Sequence, residues 1–285
     1  MPFFSSRHRP LVLVRQSPPF GHGALVADFA PVLMAFGRFH ADFQVRRAFA
    51  GTPPVGKGAY AHAEHGGQFE YAVTSAAMGL PARVVDALPK LKFVSSFGVG
   101  FDALDKDALL RRGARVGYTP GVLDDCVADL AFALLLDATR GLSESDRFVR
   151  RGGWSQGRFG IRTRASGKRL GIFGMGRIGS TVARRASGFD MEVAYHNRRS
   201  VEGSPHQYLP SLLELARWAD ILVITAAGGE GTRHLVNAEV LAALGPQGFL
   251  VNVARGSVVD EVALADALEN KRIAGAGLDV FEDEP

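Results

Sequence analysis

Residues 168–199 read KRLGIFGMGRIGSTVARRASGFDMEVAYHNRR. A short apolar run, Leu170 to Phe173, leads into a turn carrying Gly174, Gly176 and Gly179. A helical segment from Ser180 to Ala186 follows, and a second apolar run spans Val193 to Tyr195. That order is strand, glycine turn, helix, strand, the βαβ context in which a GxGxxG spacing carries meaning. Gly174 permits the tight turn off the strand, Gly176 leaves no side chain between backbone and pyrophosphate, and Gly179 lets the helix pack close to the sheet. Unpaired N–H groups and the helix dipole favour negative charge at such a turn. Gly174, Gly176 and Gly179, with Arg177 and Ile178 between them, therefore form a candidate dinucleotide site.

The end of the second run bears on which dinucleotide. Sites for NAD place an acidic residue about twenty positions on, whereas NADP sites supply Arg for the 2′-phosphate. This chain has Asn197, Arg198 and Arg199 there. Guanidinium groups pair with phosphate through charge-assisted hydrogen bonds, so NADP(H) is expected in preference to NAD(H). The competing reading is a solvated Arg pair on the surface after a strand.

Composition sets the frame around this unit. With 285 residues the chain is long enough for two domains, and its 47% apolar and 22% charged residues are those of a globular protein. The single cysteine, Cys126, excludes an internal disulfide framework and a cysteine-based zinc site. No metal is expected. The net charge of +4 comes from basic residues scattered in ones and twos, which does not mark a nucleic-acid face. No apolar run approaches membrane-spanning length, and Leu11 to Val14 is too short for a signal-peptide core. A cytoplasmic protein without nucleic-acid or membrane partners is the expectation.

Before the fingerprint, strands are predicted at Leu11 to Val14, Tyr71 to Thr74, Lys92 to Phe97 and Arg115 to Tyr118, with a further apolar run at Phe43 to Phe49. Helices are predicted at Ala24 to Phe36, from Pro81 to Leu88, and at Asp105 to Arg112; most of Gly51 to Gly67 reads as loop. This alternation points to a small α/β domain with a parallel sheet. The segment Ser95-Ser96-Phe97-Gly98-Val99-Gly100 ends a strand in two glycines, so its backbone is either a nest for a carboxylate or a plain strand-to-helix turn. From Leu123 to Thr139 a helix is apolar on nearly all sides and must be covered by both domains or by a second subunit. After the fingerprint, helices at Ser211 to Trp218, Ala238 to Leu244 and Glu261 to Glu269 alternate with strands at Asp220 to Ala226, Phe249 to Val253 and Ile273 to Val280. That is a doubly wound domain.

In such a fold, chemistry belongs on loops at the carboxyl ends of strands. Arg255 follows the strand ending at Val253, and Glu284 follows the one ending near Val280. An Arg there can hold a carboxylate and polarise a carbonyl with one planar fork, or it can simply cap a helix. Position alone favours an acidic surface turn for Glu284.

The fingerprint, VNVARGSVVDE, AGAGLDVFEDEP, the helix GVLDDCVADLAFALLL and the segment SSFGVGFDALD together resemble the D-isomer-specific 2-hydroxyacid dehydrogenase family. Within it the likeness is to the glyoxylate/hydroxypyruvate and hydroxyphenylpyruvate reductase branch. It runs from about Pro81 to the last residue. The Thr119-Pro120-Gly121 break before the apolar helix sets the expected boundary, and the resemblance implies a Rossmann dinucleotide domain for 119–285 and a smaller flavodoxin-like substrate domain for 1–118. It implies that Arg255 binds the 2-keto acid, that Glu284 and not Glu282 pairs with the catalytic His, and that the Val99 and Gly100 backbone holds the substrate carboxylate. It also implies cofactor contacts from Asp279, Ala254 and Thr232. The apolar helix at Leu123 to Thr139, for its part, makes a homodimer with that helix at or near the interface the expectation.

Three departures accompany the resemblance. Asp124 stands where the family usually has Thr, the loop at Ala227 to Thr232 reads AGGEGT, and the family's His belongs about twenty residues beyond Glu284. None of the eight histidines occupies an equivalent place. His196 belongs to the adenosine end, and His62, His65 and His206 read as surface groups. The expectation is a fragment of a longer enzyme whose first domain lacks its C-terminal return segment. The activity expected is NADPH-dependent reduction of a small 2-keto acid to the 2-hydroxy acid. The alternative is a dinucleotide-sensing, corepressor-like interaction protein without turnover.

Overall fold

A computed structural model describes Val12–Val14, residues 66–76 and residues 78–283 of the chain. The helix expected at 24–36, the run at 43–49, most of the 51–67 loop, and Glu284 lie outside the described residues. The chain divides into two compact units, one running to Val122 and the other from Leu123.

The first unit holds a four-stranded sheet in the order β1 (Val12–Val14), β2 (Tyr71–Ser75), β3 (Phe93–Phe97), β4 (Arg115–Gly117). β2, β3 and β4 are parallel, joined through helices α1 (Ala82–Asp86) and α2 (Lys106–Arg112). β1 pairs antiparallel with β2, with Val12 opposite Val73. The three parallel strands are those that the alternation of strands and helices points to, and an antiparallel edge strand is a common variation on such sheets. The inward face is read off the two-residue period. Ala72 and Val94 are buried from β2 and β3, packing with Leu80, Val85, Leu88 and Leu109. Pro81 stands at the N-cap of α1, one place before the expected first helical position. Asp105 caps α2, accepting the Ala108 amide at 2.8 Å.

The second unit opens with α3 (Asp124–Arg140) and α4 (Leu142–Arg150), the latter not expected from the sequence. A six-stranded sheet follows: β5 (Arg169–Phe173), β6 (Glu192–His196), β7 (Gln207–Tyr208), β8 (Ile221–Ile224), β9 (Phe249–Asn252) and β10 (Gly275–Leu278). Their spatial order is β10-β9-β8-β5-β6-β7, every pair parallel. Helix α5 (Arg177–Ala186) connects β5 to β6. α6 (Leu212–Trp218), α7 (Ala238–Leu244) and α8 (Glu261–Glu269) connect the later strands.

β8 and β9 are buried at every position because helices cover both faces. Ile221 and Val223 pack on one face with Leu135 of α3 and Val182 of α5; Leu222 and Ile224 pack on the other with Leu215, Leu241 and Leu264 of α6, α7 and α8. The sheet is thus doubly wound, with its switch point between β5 and β8.

α3 is partly covered by its own unit. Ala128, Ala131, Phe132, Leu135 and Thr139 are buried, packed within its own unit against α5, β9 and β10, while Leu130 and Ala133 remain exposed. A ladder of ion pairs links it to α5: Arg177 with Asp124, Arg184 with Asp125, and Arg185 with Asp125 and Asp129. Exposed pairs of this kind contribute about 0.2–1 kcal/mol each. Among the described residues no helix is long and apolar enough to cross a membrane.

Candidate active site

Because all strands of the second sheet run the same way, their carboxyl ends share one edge. Read across that edge, the loops carry Asp279 after β10, Ala254 and Arg255 after β9, Thr232 after β8, the glycine turn after β5, and Asn197 to Arg199 after β6. Residues scattered over a hundred positions therefore meet along one line.

At the switch point the glycine turn has no room for side chains at two of its positions. Gly174 has φ +108°, and a Cβ there would lie 2.5 Å from the Ala226 nitrogen; a Cβ on Gly179 would lie 2.3 Å from the Gly174 carbonyl oxygen. Gly176 differs. A Cβ there would meet nothing within 4 Å, so the residue borders open space at the start of α5. No side chain caps that helix, and its first-turn amides, those of Ile178 and Gly179 among them, have no intrahelical acceptor. A cradle of open donors over an open space fits a pyrophosphate.

Asn197 does something the sequence did not indicate. Its Oδ1 accepts the Met175 amide at 2.7 Å and its Nδ2 donates to the Met175 carbonyl at 3.4 Å, so the side chain pins the glycine turn. The next two residues, Arg198 and Arg199, are exposed and make no hydrogen bond or ion pair among the described residues. Their turn is anchored on both sides, by the Tyr208 hydroxyl donating to the Asn197 carbonyl at 3.3 Å and by the Val201 amide donating to the Tyr195 hydroxyl at 2.8 Å. His196 bonds through Nδ1 to the Leu209 carbonyl at 2.9 Å and stacks against Phe173 and Tyr208. Its place at the end of β6 is structural. A cleft of about 340 Å³ opens beside this turn, between Met175, Ser180, Arg184 and residues 201–206.

Arg177 lies in the first turn of α5, and its Nε donates to Asp124 at 3.2 Å. The second Asp124 oxygen is buried without a partner. Thr232 turns its hydroxyl back into its own loop, donating to the Ala227 and Gly229 carbonyls at 2.9 and 3.0 Å.

Asn252, at the end of β9 and 1% exposed, organises the turn that follows. Its Oδ1 accepts the Ala254 amide at 3.0 Å, its Nδ2 donates to the Arg255 carbonyl at 2.9 Å, and its own carbonyl accepts the Asp279 amide at 2.9 Å. Ala254 is buried, Asp279 is exposed, and Arg255 is half-buried with Nη1 donating to the Ala254 carbonyl at 2.7 Å. Beside it a Cβ on Gly256 would lie 1.9 Å from the Phe281 carbonyl carbon. The chain after β10 therefore crosses directly over the Arg255 turn.

That crossing segment carries an acid–base pair. Glu282 accepts from His234 Nε2 at 2.8 Å and pairs with Arg233, and its amide donates to Glu261 at 2.7 Å. The hydrogen bond from His234, reinforced by the charge of Arg233, holds the Glu282 carboxyl below the usual carboxylate range. The sequence reading passed over His234, whose only signal was a histidine between two apolar-flanked elements. Glu284 lies outside the described residues.

In the first unit, Gly98 has φ +121° and exchanges two hydrogen bonds with Thr119: its amide donates to the hydroxyl at 3.1 Å and its carbonyl accepts the Thr119 amide at 3.1 Å. Beyond this clamp, Val99 and Gly100 are half-buried, and neither amide donates a hydrogen bond among the described residues. Two open donors at a strand's carboxyl end can receive an anion.

Comparison with known proteins places these features in company. Residues 132–285 match the profile of the D-isomer specific 2-hydroxyacid dehydrogenase NAD-binding domain. Hydroxyphenylpyruvate reductase of Plectranthus scutellarioides is 49% identical over 207 residues, 73% of this chain and 66% of that one. A glyoxylate/hydroxypyruvate reductase of Arabidopsis thaliana is 44% identical, over 78% of this chain and 71% of that one. Among solved structures, the NADPH-dependent glyoxylate/hydroxypyruvate reductase of Sinorhizobium meliloti, in complex with NADP and malonate, superposes with a TM-score of 0.73 at 44% identity. That match covers 77% of this chain and 69% of that one.

Proposed function

The chain belongs to the D-isomer specific 2-hydroxyacid dehydrogenase family, and from that premise we propose that it reduces small 2-keto acids of the glyoxylate and hydroxypyruvate kind to D-2-hydroxy acids, with NADPH preferred over NADH. The observation that carries the proposal is the turn built by Asn252, which presents Arg255 at the carboxyl end of β9 on the same sheet edge as the open glycine cradle. Two relatives named for glyoxylate and hydroxypyruvate reduction support the substrate class. The preference for NADPH is supported by Arg198 and Arg199, exposed directly after β6, where residues 197–199 include no carboxylate.

When bound, the reduced dinucleotide supplies a hydride for a carbonyl carbon. The protein's part is to bind, orient and polarise. Amides of Ile178 and Gly179, with Arg177, are assigned to the pyrophosphate, Arg198 and Arg199 to the 2′-phosphate, and Asp279 to the nicotinamide carboxamide. Asn197 contributes by holding Met175 and so the shape of the cradle, while Thr232 and Ala254 border it. Val99 and Gly100 receive the substrate carboxylate on their open amides. The Arg255 fork is assigned to the 2-keto acid, where a guanidinium draws charge onto the keto oxygen and stabilises the alkoxide as it forms. Glu284 is assigned to orient a proton-donating histidine.

We further propose a homodimer. Leu142, Val149, Trp154 and Ile161, on α4 and the connector after it, are exposed apolar side chains close together in sequence, the kind of surface that a second copy covers.

The test is oxidation of NADPH by the full-length protein in the presence of glyoxylate or hydroxypyruvate, with the chirality of the product determined. Turnover to a D-2-hydroxy acid, with a lower KM for NADPH than for NADH, is expected. A folded protein that binds NADPH yet turns over no small 2-keto acid would sink the proposal.

A further inference from the structure

We propose that His234 is a positioning residue for the reaction: through Glu282 it fastens the segment after β10 onto the loop that carries Arg255. The inference rests on the reductase reading, in which that segment leads two residues on to Glu284.

Three loops of the carboxyl edge meet at His234. Its amide donates to the Ser257 carbonyl at 2.8 Å, and Val236 continues the same pairing with Val258 at 3.1 Å. The loop after β8 is thereby bound to the loop after β9. His234 Nε2 then reaches Glu282 at 2.8 Å, which adds the segment after β10. The charged and titratable groups facing Glu282 are Arg233 and His234 from one side and Glu261 from the first turn of α8, which accepts the Glu282 amide. Glu282 offers its two oxygens to Nε2 of His234 and to Arg233, and the pair works as a fastening.

The backbone argues that the side chain is what matters. His234 has φ +49°, in the left-handed region where a residue with a Cβ is strained. Asn and Gly suit that conformation better than His. A purely structural turn would therefore be served at least as well by either, whereas only a side chain long enough to reach Glu282 serves the fastening. Gly256 gives the arrangement its tolerance: the Phe281–Glu282 peptide lies where a Cβ would sit, so any slackening of the segment is felt directly at the Arg255 turn.

His234→Asn, His234→Gln and Glu282→Ala in the full-length protein separate the possibilities. Asn fits the backbone but falls short of Glu282; Gln places an amide nitrogen near the position of Nε2. Amide exchange over residues 279–283 should quicken about tenfold or more in His234→Asn and in Glu282→Ala, and much less in His234→Gln. With glyoxylate as substrate, kcat/KM should fall about tenfold in the first two, with partial rescue by Gln, since misplacement of this order is costly to turnover. The NADPH Kd should stay within about twofold. Wild-type exchange in both His234→Asn and Glu282→Ala overturns the proposal, as does faster exchange with unchanged kcat/KM in an active enzyme. Should His234→Asn fail to fold, Glu282→Ala gives both readings without touching the strained backbone. A wild-type protein with no turnover sinks the reductase reading instead, and the exchange result then decides the fastening by itself.

Discussion

Arg255 carries the sharpest prediction at the scale of single residues. Its Nη1 donates to the Ala254 carbonyl. If the guanidinium grips a 2-keto acid with two parallel hydrogen bonds, Lys cannot replace it, because an ammonium on a flexible stem lacks the planar fork. Arg255→Lys should lower kcat/KM by on the order of a hundredfold, about 2.7 kcal/mol of transition-state stabilisation, with NADPH binding unchanged. Near-normal activity would mean that Arg255 only stabilises its own turn. Arg198 and Arg199 predict a different pattern. Replacing both with Ala should weaken NADPH by roughly 1.5–3 kcal/mol for each charged hydrogen bond lost and leave NADH almost untouched; equal loss of both dinucleotides, measured by fluorescence titration, would refute the assignment. Asn197→Ala should differ again. Since its amide holds Met175, both dinucleotides should weaken together.

At the scale of elements, the approach of the chain after β10 to the turn after β9 matters most. Gly256→Ala forces its Cβ against the Phe281–Glu282 peptide, and backbone on both sides gives little room to yield. We expect a loss of about 1–3 kcal/mol in urea unfolding, with a larger proportional loss of turnover than of NADPH affinity. Glu282 adds a pH dependence of known sign. Its carboxyl is held below the ordinary range by His234 and then Arg233, so the folded protein binds that proton more weakly than the unfolded chain. The pair's stabilisation is present above the ordinary glutamate pKa of about 4.3 and is lost as pH falls through the lower folded value. The Tm difference between wild type and Glu282→Gln should therefore be largest near neutrality and shrink toward pH 3; a difference that grows on acidification contradicts the pairing.

For the whole molecule, the prediction is a dimer. Sedimentation at micromolar concentration should show two copies, and Trp154→Glu combined with Ile161→Asp should shift the protein to monomer, because both side chains are exposed on one chain and a charge buried in an apolar interface is costly. A stable wild-type monomer would refute it. The apolar helix α3 led to the same expectation from the sequence by a different route. Its own unit covers one side of it, Leu130 and Ala133 remain exposed on the other, and α4 with the connector adds further exposed apolar side chains.

The amino-acid sequence by itself determined the doubly wound second unit, nearly every strand and helix in it, and the positions of the glycine turn and of Arg255. These are local signals: an apolar run of strand length, a cap such as Ser211 before Glu214, a glycine spacing that only one turn accommodates. Asn197 was legible as a cofactor-end residue but not as the pin of Met175, and Asn252 and His234 were not legible as functional at all. Their partners lie at positions 175, 255 and 282, and a hydrogen bond between side chains or loops brought together by the sheet leaves no periodic trace in the chain. The same holds for Gly256, an ordinary turn residue until the segment after β10 is laid across it. Which face of α3 is buried, that β1 runs antiparallel, and that Glu282 is tied to a histidine were decided by tertiary structure. Each is a choice between neighbours, made by packing once the elements exist.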